Sequence, residues 1–514
     1  MNMRILLISM LQNRVHGNTG IDHIARYLRD FLSNDTILTE FYFGNSDEEL
    51  LNKIPTDCEI YGFSVFETNY ILARRTAAQI KLKNPHAVIV FGGQFVTINF
   101  HEIVVDAVET DYLILGDGES PMFRLANFLR NNTEKMLGDR NIVSINDVNG
   151  KIANVELDVN RATSFDYYKN DSVENNRKKT HAIMTKSNTC QGACTFCCSR
   201  KGRVIYRSSE NLLSEITYLA DKFSVKDFWL TDDDIFDVES TQNRSRLKLF
   251  LEGLQAQHFN LGFSAFAKPR SICNPENLTL LKKMSQTGFH HIFLGLDAGN
   301  MDDLKLYNKR STLEQGIKAV NILREVGIGV RFGMIFLNPY STLKKMRDSY
   351  EYLLKLHSTN YFHYGGWRVQ LLQGTKLLEK VRQDGLLNSD FSFLNNQSFQ
   401  FAYTETKPIV EILDDLMPRL DAIRNQFNIL RYKFYTAIHL DECAKNYENL
   451  LKTYADEEFY ELQKFFYFLY VMNDYKYCRT HSKSFVSKMQ ERANRYEPII
   501  KELKKIIFQA KIRK

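Results

Sequence analysis

Cys190, Cys194 and Cys197 lie in the stretch TCQGACTFCCSR (residues 189–200) with C-x3-C-x2-C spacing, and Cys198 follows directly. Three thiolates on one short, Gly-containing loop suit an iron–sulfur cluster, because thiolates are the soft ligands such clusters select. A 4Fe-4S cluster normally takes four cysteines, so three leave one iron open to a ligand from outside the protein. Zinc is the plainer alternative, but structural zinc sites usually need a second ligand pair downstream. Cys58, Cys273, Cys443 and Cys478 are scattered and make no such pair. Phe196 directly precedes the third cysteine of the spacing.

A loop of this kind has to be carried by regular elements, and the chain supplies two alternating series. In residues 3–130 the runs RILLISM, TILTEFYF, CEIYGFSVF, HAVIVFGG and DYLILGD read as strands. Amphipathic stretches lie between them, at 21–31, 69–82 and 100–108. Short apolar, β-branched runs alternating with helical pattern predict a parallel sheet covered on both faces, a flavodoxin-like Rossmann domain over residues 1–134. Ligands of such domains bind outside the carboxyl ends of the strands. Those ends carry Gly17 and Gly20, Ser64, Gly92-Gly93, and the GDGE of residues 116–119. Gly-Gly after a strand is also simply a tight turn.

Residues 135–180 turn polar and read as a linker with one hairpin at Asn149-Gly150. From His181 the second series begins: HAIMTK, KDFWLTDD, LGFSAFA, HIFLGLD, GVRFGMIF and YGGWRVQLL. Six repeats over residues 181–385 suit a partial (β/α)6 barrel, with chemistry at the carboxyl ends of its strands. The cysteine loop follows the first of these strands. Residues 386–514 read as Phe- and Tyr-rich helices whose apolar stripes pack a helical domain.

The cysteine pattern and the two series together resemble the radical S-adenosylmethionine (SAM) enzymes that carry a B12-binding domain. The resemblance implies a 4Fe-4S cluster held by Cys190, Cys194 and Cys197, with SAM on the open iron and Phe196 beside it. It implies that SAM is cleaved and a hydrogen atom taken from an unactivated carbon. Asp232 matches the position that hydrogen-bonds the SAM amino group, and a carboxylate there orients an ammonium-like group. Ser264, Arg270 and Arg331 line the same strand ends, Arg331 facing the SAM carboxylate. Asp297-Ala298 stands where the family commonly has Glu-Ser on the ribose hydroxyls. Asp233, Asp234 and Lys309 either join that site or cap the adjoining helices.

In the N-terminal domain, Ser64, Gly92 and Gly93 match positions lining the cobalamin nucleotide-tail groove, where glycine lets a bulky ligand approach the backbone. The D-x-H-x-x-G motif that supplies cobalt with a lower ligand is absent, because the first loop reads QNRVHGNTG. His16 therefore reads as a loop histidine. The implied outcome is cobalamin-dependent C-methylation of a peptide or small-molecule substrate, with a flavodoxin- or ferredoxin-type electron donor. Rearrangement, epimerisation or cross-linking without cobalamin is the alternative, with Cys273, Cys443 or Cys478 as a hydrogen-atom donor. A non-catalytic cobalamin or redox sensor is the third.

The charge balance, 67 Lys and Arg against 61 Asp and Glu for a net +6 over 514 residues, lacks the dense basic footprint of a nucleic-acid binder. MNMRILLISM is too short for a membrane span and reads as a first strand. Eight cysteines without secreted-domain spacing point to a reducing, cytoplasmic setting. Replacing Cys190, Cys194 or Cys197 by Ala is expected to abolish iron loading after anaerobic reconstitution. Cys198→Ala is expected to retain iron at the wild-type stoichiometry, as read by iron and sulfide analysis.

Overall fold

In the computed structural model, described for residues 2–10, 19–42, 44, 46–131, 141–145, 181–186, 189–199, 204–237, 240–257, 260–356, 367–435, 453, 457 and 460–512, both alternating series are present. The chain forms two compact units. One comprises Met1–Cys190, Cys198–Asp232 and Arg246–Phe259; the other comprises Gln191–Cys197, Asp233–Ser245 and Asn260–Lys514.

The first unit is built on a six-stranded sheet ordered β2-β1-β3-β4-β5-β6. Its strands are β1 (Arg4–Met10), β2 (Thr36–Tyr42), β3 (Ile60–Ser64), β4 (Val88–Gly92), β5 (Tyr112–Ile114) and β6 (Ile142–Ser144). β1 to β5 are parallel and in the flavodoxin-like order, with the switch point between β1 and β3. The helices Thr19–Phe31 and Glu119–Asn131 cover one face. There Ile5, Leu7, Ala25, Leu28, Ile60 and Leu125 pack into a core at 2% exposure or less. β6 pairs antiparallel with β5, so the sheet continues past the expected domain end at residue 134. The hairpin expected at Asn149-Gly150 lies outside the described residues.

The same unit contains the parallel pair β7 (His181–Ile183) and β8 (Asp227–Leu230), with the helix Ser209–Phe223 between them. That helix buries Glu215, which pairs with the equally buried Arg207 at 2.6 Å. Its carboxylate also acts on Asp22 in the Thr19–Phe31 helix. Burial first, then the Glu215 charge, push the Asp22 carboxyl up to about 8, against the opposing pull of Arg29 and Arg26.

In the second unit β9 (Gly262–Ala267), β10 (Phe289–Asp297) and β11 (Gly329–Met334) are parallel. The half-exposed face of β10 carries His291, Phe293, Gly295 and Asp297. The register places Gly329 beside His291 and Gly333 beside Gly295, diagonal to Phe293 on the same face. A Cβ at Gly329 would come within 2.8 Å of the His291 ring, and one at Gly333 within 3.1 Å of the Phe293 ring. Glycine on one strand thus makes room for a large ring on the next. Of the sixth expected strand, described from Trp367 onward, only an isolated parallel bridge forms, between Arg368 and Leu337. Pro339 has no N–H to extend that ladder. The helices Lys407–Tyr435 and Tyr475–Ile512 pack on each other, as the apolar stripes predict. Among the described residues no helix is long and apolar enough to cross a membrane.

The raised Asp22 pKa makes stability depend on pH. The folded chain holds a proton on it up to about pH 8, whereas the unfolded chain releases that proton near 3.8. The native state therefore binds the extra proton in between, and stability falls as pH rises toward 8. His181, whose ring burial pulls down to about 4, works in the opposite direction, but only below its ordinary value of 6.5. Thermal unfolding is expected at lower temperature at pH 8 than at pH 6.5, and Asp22→Asn is expected to flatten that decline.

Candidate functional site

The residues leading into the cysteine loop are pinned by three buried charged side chains of the first unit. The Asp232 carboxylate accepts the Thr185 N–H at 3.1 Å and the Lys186 N–H at 3.2 Å. Arg246 donates to the Thr185 carbonyl at 3.3 Å and to its hydroxyl at 3.1 Å. Arg207 donates to the Met184 carbonyl at 3.0 Å, and its own N–H to Thr185. Burial raises the Asp232 pKa, while Lys186, the Thr185 hydrogen bonds and Arg246 hold it down. The sequence reading assigned Asp232 to an outside ligand. The structure places its carboxylate on the backbone that launches the loop.

The loop itself is gripped in the second unit by the segment after the short helix Met301–Leu306. Thr195 donates its N–H to the Tyr307 carbonyl at 3.1 Å and its hydroxyl to the Leu306 carbonyl at 2.7 Å. The Asn308 amide donates to the Ala193 carbonyl at 2.9 Å, and the Leu377 N–H to the Thr195 carbonyl at 2.9 Å. The Phe196 ring meets Tyr307 edge-to-face at 5.1 Å, and the buried Tyr307 hydroxyl accepts from the Asn338 amide at 2.9 Å. Phe196 is thus part of the packing that shapes the loop. Arg207, Arg246, Tyr307 and Asn308 were not legible as site residues, because each acts through a backbone contact distant in sequence.

Cys190 is buried and Cys194, Cys197 and Cys198 are half-buried, and none of the four is in a disulfide. Burial raises the Cys194 pKa most, with Lys309 opposing it. Among the described residues no three His, Cys, Asp or Glu side chains gather as the ligands of one ion. The donor set here, three thiols on one short pinned loop, is of the kind that holds an iron–sulfur cluster. Cys198 accepts from the Gln94 amide at 3.5 Å.

Asp297 sits at the end of β10 with φ +62°, a left-handed conformation that Asp tolerates better than most residues. A register shift between Gly295 and Asp297 turns its carboxylate onto the Lys309 ammonium, and both side chains are largely buried. This ion pair joins the expected Asp297 to Lys309. Ala298 is in the apolar cluster with Leu304, Tyr307 and Val369. Ser264 pairs in register with His291, and Arg331 with Phe293, on the half-exposed faces of β9 and β11. Asp234 accepts from the Ser271 hydroxyl at 2.8 Å, a tie to the turn Pro269–Ile272 that carries Arg270.

In the first unit Ser64 and Gly92, which end β3 and β4, are paired in register, and Ser9, one residue before the end of β1, stands beside Ser64. Gly93 has φ +110°, and a Cβ there would stand 3.0 Å from the Val65 carbonyl oxygen. Glycine is required there by the positive φ and by the backbone of the β3 exit. Asn69, fully buried, donates to the Met10 carbonyl at 2.8 Å and the Ser64 carbonyl at 3.3 Å, tying the ends of β1 and β3. Small strand-end residues and a glycine turn fit a bulky ligand lying over them. His16 and Gly17 lie outside the described residues.

Residues 184–353 match the model of the radical SAM superfamily, and residues 11–126 that of the B12 binding domain. The anaerobic magnesium-protoporphyrin IX monomethyl ester cyclase of Rubrivivax gelatinosus is 24% identical over 347 residues, 64% of this chain and 60% of that protein. The chain therefore spans about three fifths of that relative's length. The solved structure of the cobalamin-dependent SAM radical enzyme OxsB with aqua-cobalamin and SAM bound superposes with a TM-score of 0.73 at 17% identity, covering 99% of this chain and 80% of that one. The radical SAM methyltransferase TsrM from Kitasatospora setae, with cobalamin and a 4Fe-4S cluster, gives 0.60 at 18% identity over 75% of each chain. At these identities both likenesses establish fold.

Two carboxylates are expected to behave differently. Asp232→Ala strips a buried charged acceptor from two N–H groups, each such bond contributing about 1.5–3 kcal/mol; the thermal midpoint and iron retention are expected to drop together. Asp297→Asn keeps the tolerance for positive φ and loses the Lys309 ion pair. It is expected to leave iron content unchanged and weaken SAM binding in equilibrium dialysis.

Proposed function

Because the chain belongs to the radical SAM enzymes that carry an N-terminal B12-binding domain, we propose that it transfers a methyl group to an unactivated carbon of a peptide or natural-product intermediate. The observation that carries this reading is the pairing of Ser64, Gly92 and Gly93 at adjacent strand ends in a chain that also carries the pinned cysteine loop. When bound, the reduced cluster and SAM supply the means to remove a hydrogen atom, and methylcobalamin supplies the methyl group.

The chain's own part is placement. Cys190, Cys194 and Cys197 act as the thiolate ligands, and Cys198 stands outside them. Arg207, Asp232 and Arg246 hold the loop entrance, and Tyr307 and Asn308 hold its middle, so the ligating thiols have little freedom to shift. Asp297 serves as the acceptor for the ribose hydroxyls, with Lys309 fixing its direction. Arg331 and Ser264 line the strand faces on which the rest of SAM and the substrate lie, and Arg270 stands at the rim. Phe266 and Phe293, edge-to-face at 5.1 Å, offer an apolar surface from which water is excluded. Electrons come from a flavodoxin- or ferredoxin-type donor.

Ring formation without methyl transfer is a second reading, favoured by the likeness to the Rubrivivax gelatinosus cyclase. Product analysis separates the two. The anaerobically reconstituted protein, given SAM and a low-potential reductant, is expected to release 5′-deoxyadenosine alone without cobalamin. With hydroxocobalamin, reduced in the same mixture so that it can take a methyl group from SAM, it is expected to release S-adenosylhomocysteine as well. Absence of S-adenosylhomocysteine from the cobalamin-loaded protein would sink the methyltransferase reading and leave ring closure or rearrangement.

A further inference from the structure

Thr97 lies in the short helix Gln94–Ile98 that follows the Gly92-Gly93 turn. Its hydroxyl donates to the Gly93 carbonyl at 2.9 Å and accepts the Gly116 N–H at 2.9 Å. The first bond is the ordinary return of a helical threonine to the carbonyl four residues back. The second reaches a different strand exit. Gly93 ends the β4 side at φ +110° and Gly116 the β5 side at φ +79°, so one oxygen couples two turns that are both left-handed. Glycine turns have many alternative conformations, and fixing them costs more backbone entropy than fixing any other residue.

Each side of that coupling is otherwise anchored. The Val65 N–H donates to the Gly92 carbonyl at 2.9 Å, which holds the β4 exit to β3. Leu115 exchanges bonds with the buried Asn141: its N–H donates to the Asn141 carbonyl at 2.8 Å, and its carbonyl accepts the Asn141 amide at 2.9 Å. The β4–β5 ladder ends at the Gly92 and Ile114 pair, and beyond it the Thr97 hydroxyl links the Gly93 carbonyl to the Gly116 N–H. Asn69 does the corresponding work for β1 and β3.

We infer that Thr97 is a positioning residue for the cobalamin groove: its hydroxyl ties the β4 and β5 exits together beyond the ladder and fixes the two glycine turns in the conformation that the nucleotide tail needs. This rests on the reading of the N-terminal domain as a cobalamin site. The role requires a hydroxyl and not the methyl group of threonine. Serine keeps both bonds, whereas the isosteric valine keeps the shape and loses both.

The test is binding of hydroxocobalamin to the full-length protein, followed by equilibrium dialysis and by the absorption spectrum of the bound form, for wild type, Thr97→Val, Thr97→Ala and Thr97→Ser. Thr97→Val and Thr97→Ala are expected to bind about ten-fold more weakly, the scale of one to two lost hydrogen bonds. Thr97→Ser is expected to restore wild-type affinity, and SAM binding by the reconstituted proteins is expected to stay unchanged in all three. If Thr97→Val binds as wild type does, the positioning role is overturned while the cobalamin reading stands. If wild type itself fails to bind, the cobalamin reading falls, and this inference with it. If the valine and alanine variants unfold, or lose SAM binding in parallel, Thr97 supports the fold at large and the specific role is overturned.

Discussion

The rest of this structure depends on a buried electrostatic clamp. Two arginines and one aspartate, each 8% exposed or less, are spent on the backbone of Met184, Thr185 and Lys186. Burying charges is costly unless each is paired and hydrogen-bonded, and removing one partner from such a group strands the others. Here the arginines donate to carbonyls, the aspartate accepts N–H groups, and Glu215 neutralises Arg207. The result is a stretch of chain with very few alternative conformations directly ahead of a loop whose thiols must be held for metal. The clamp is expensive in desolvation and suits a position where precision matters more than net stability.

A different means holds the other ligand surface. The strand ends of the Rossmann domain are kept small and are tied by single neutral side chains, Asn69 on one side of the sheet and Thr97 on the other. Small residues leave space, but space alone does not fix a shape, since glycine turns relax readily. Neutral hydrogen bonds suffice because no charged group has to be buried there. The second unit uses a third device at Asp297, where a bulge and a left-handed residue aim a carboxylate at Lys309. Backbone strain at such a position is stored where direction is needed.

Much of this was legible in the residues. Alternating apolar runs gave both parallel series, because a strand buried on both faces cannot be polar and a covering helix must be amphipathic. The spacing of Cys190, Cys194 and Cys197 named the metal chemistry, since few other uses put three thiols so close together. Gly92-Gly93 after a strand reads as a turn, and the chain turns there with a positive φ at Gly93.

Tertiary structure alone decided the partners of those residues. Asp232 reads as a ligand-facing carboxylate at a strand end, and the fold also sets it to accept from the Thr185 and Lys186 N–H groups, 47 and 46 residues earlier. Ala298 reads as a lost hydroxyl, yet it faces Leu304 and Tyr307 in an apolar cluster. Ile142–Ser144 lies beyond the expected end of the Rossmann domain, yet it pairs with β5 and extends that domain's sheet. Sequence pattern reports which face a residue prefers, through its hydrophobicity and its period. It does not report which distant backbone group will meet it there, because that choice is made by the packing of elements joined through long connections.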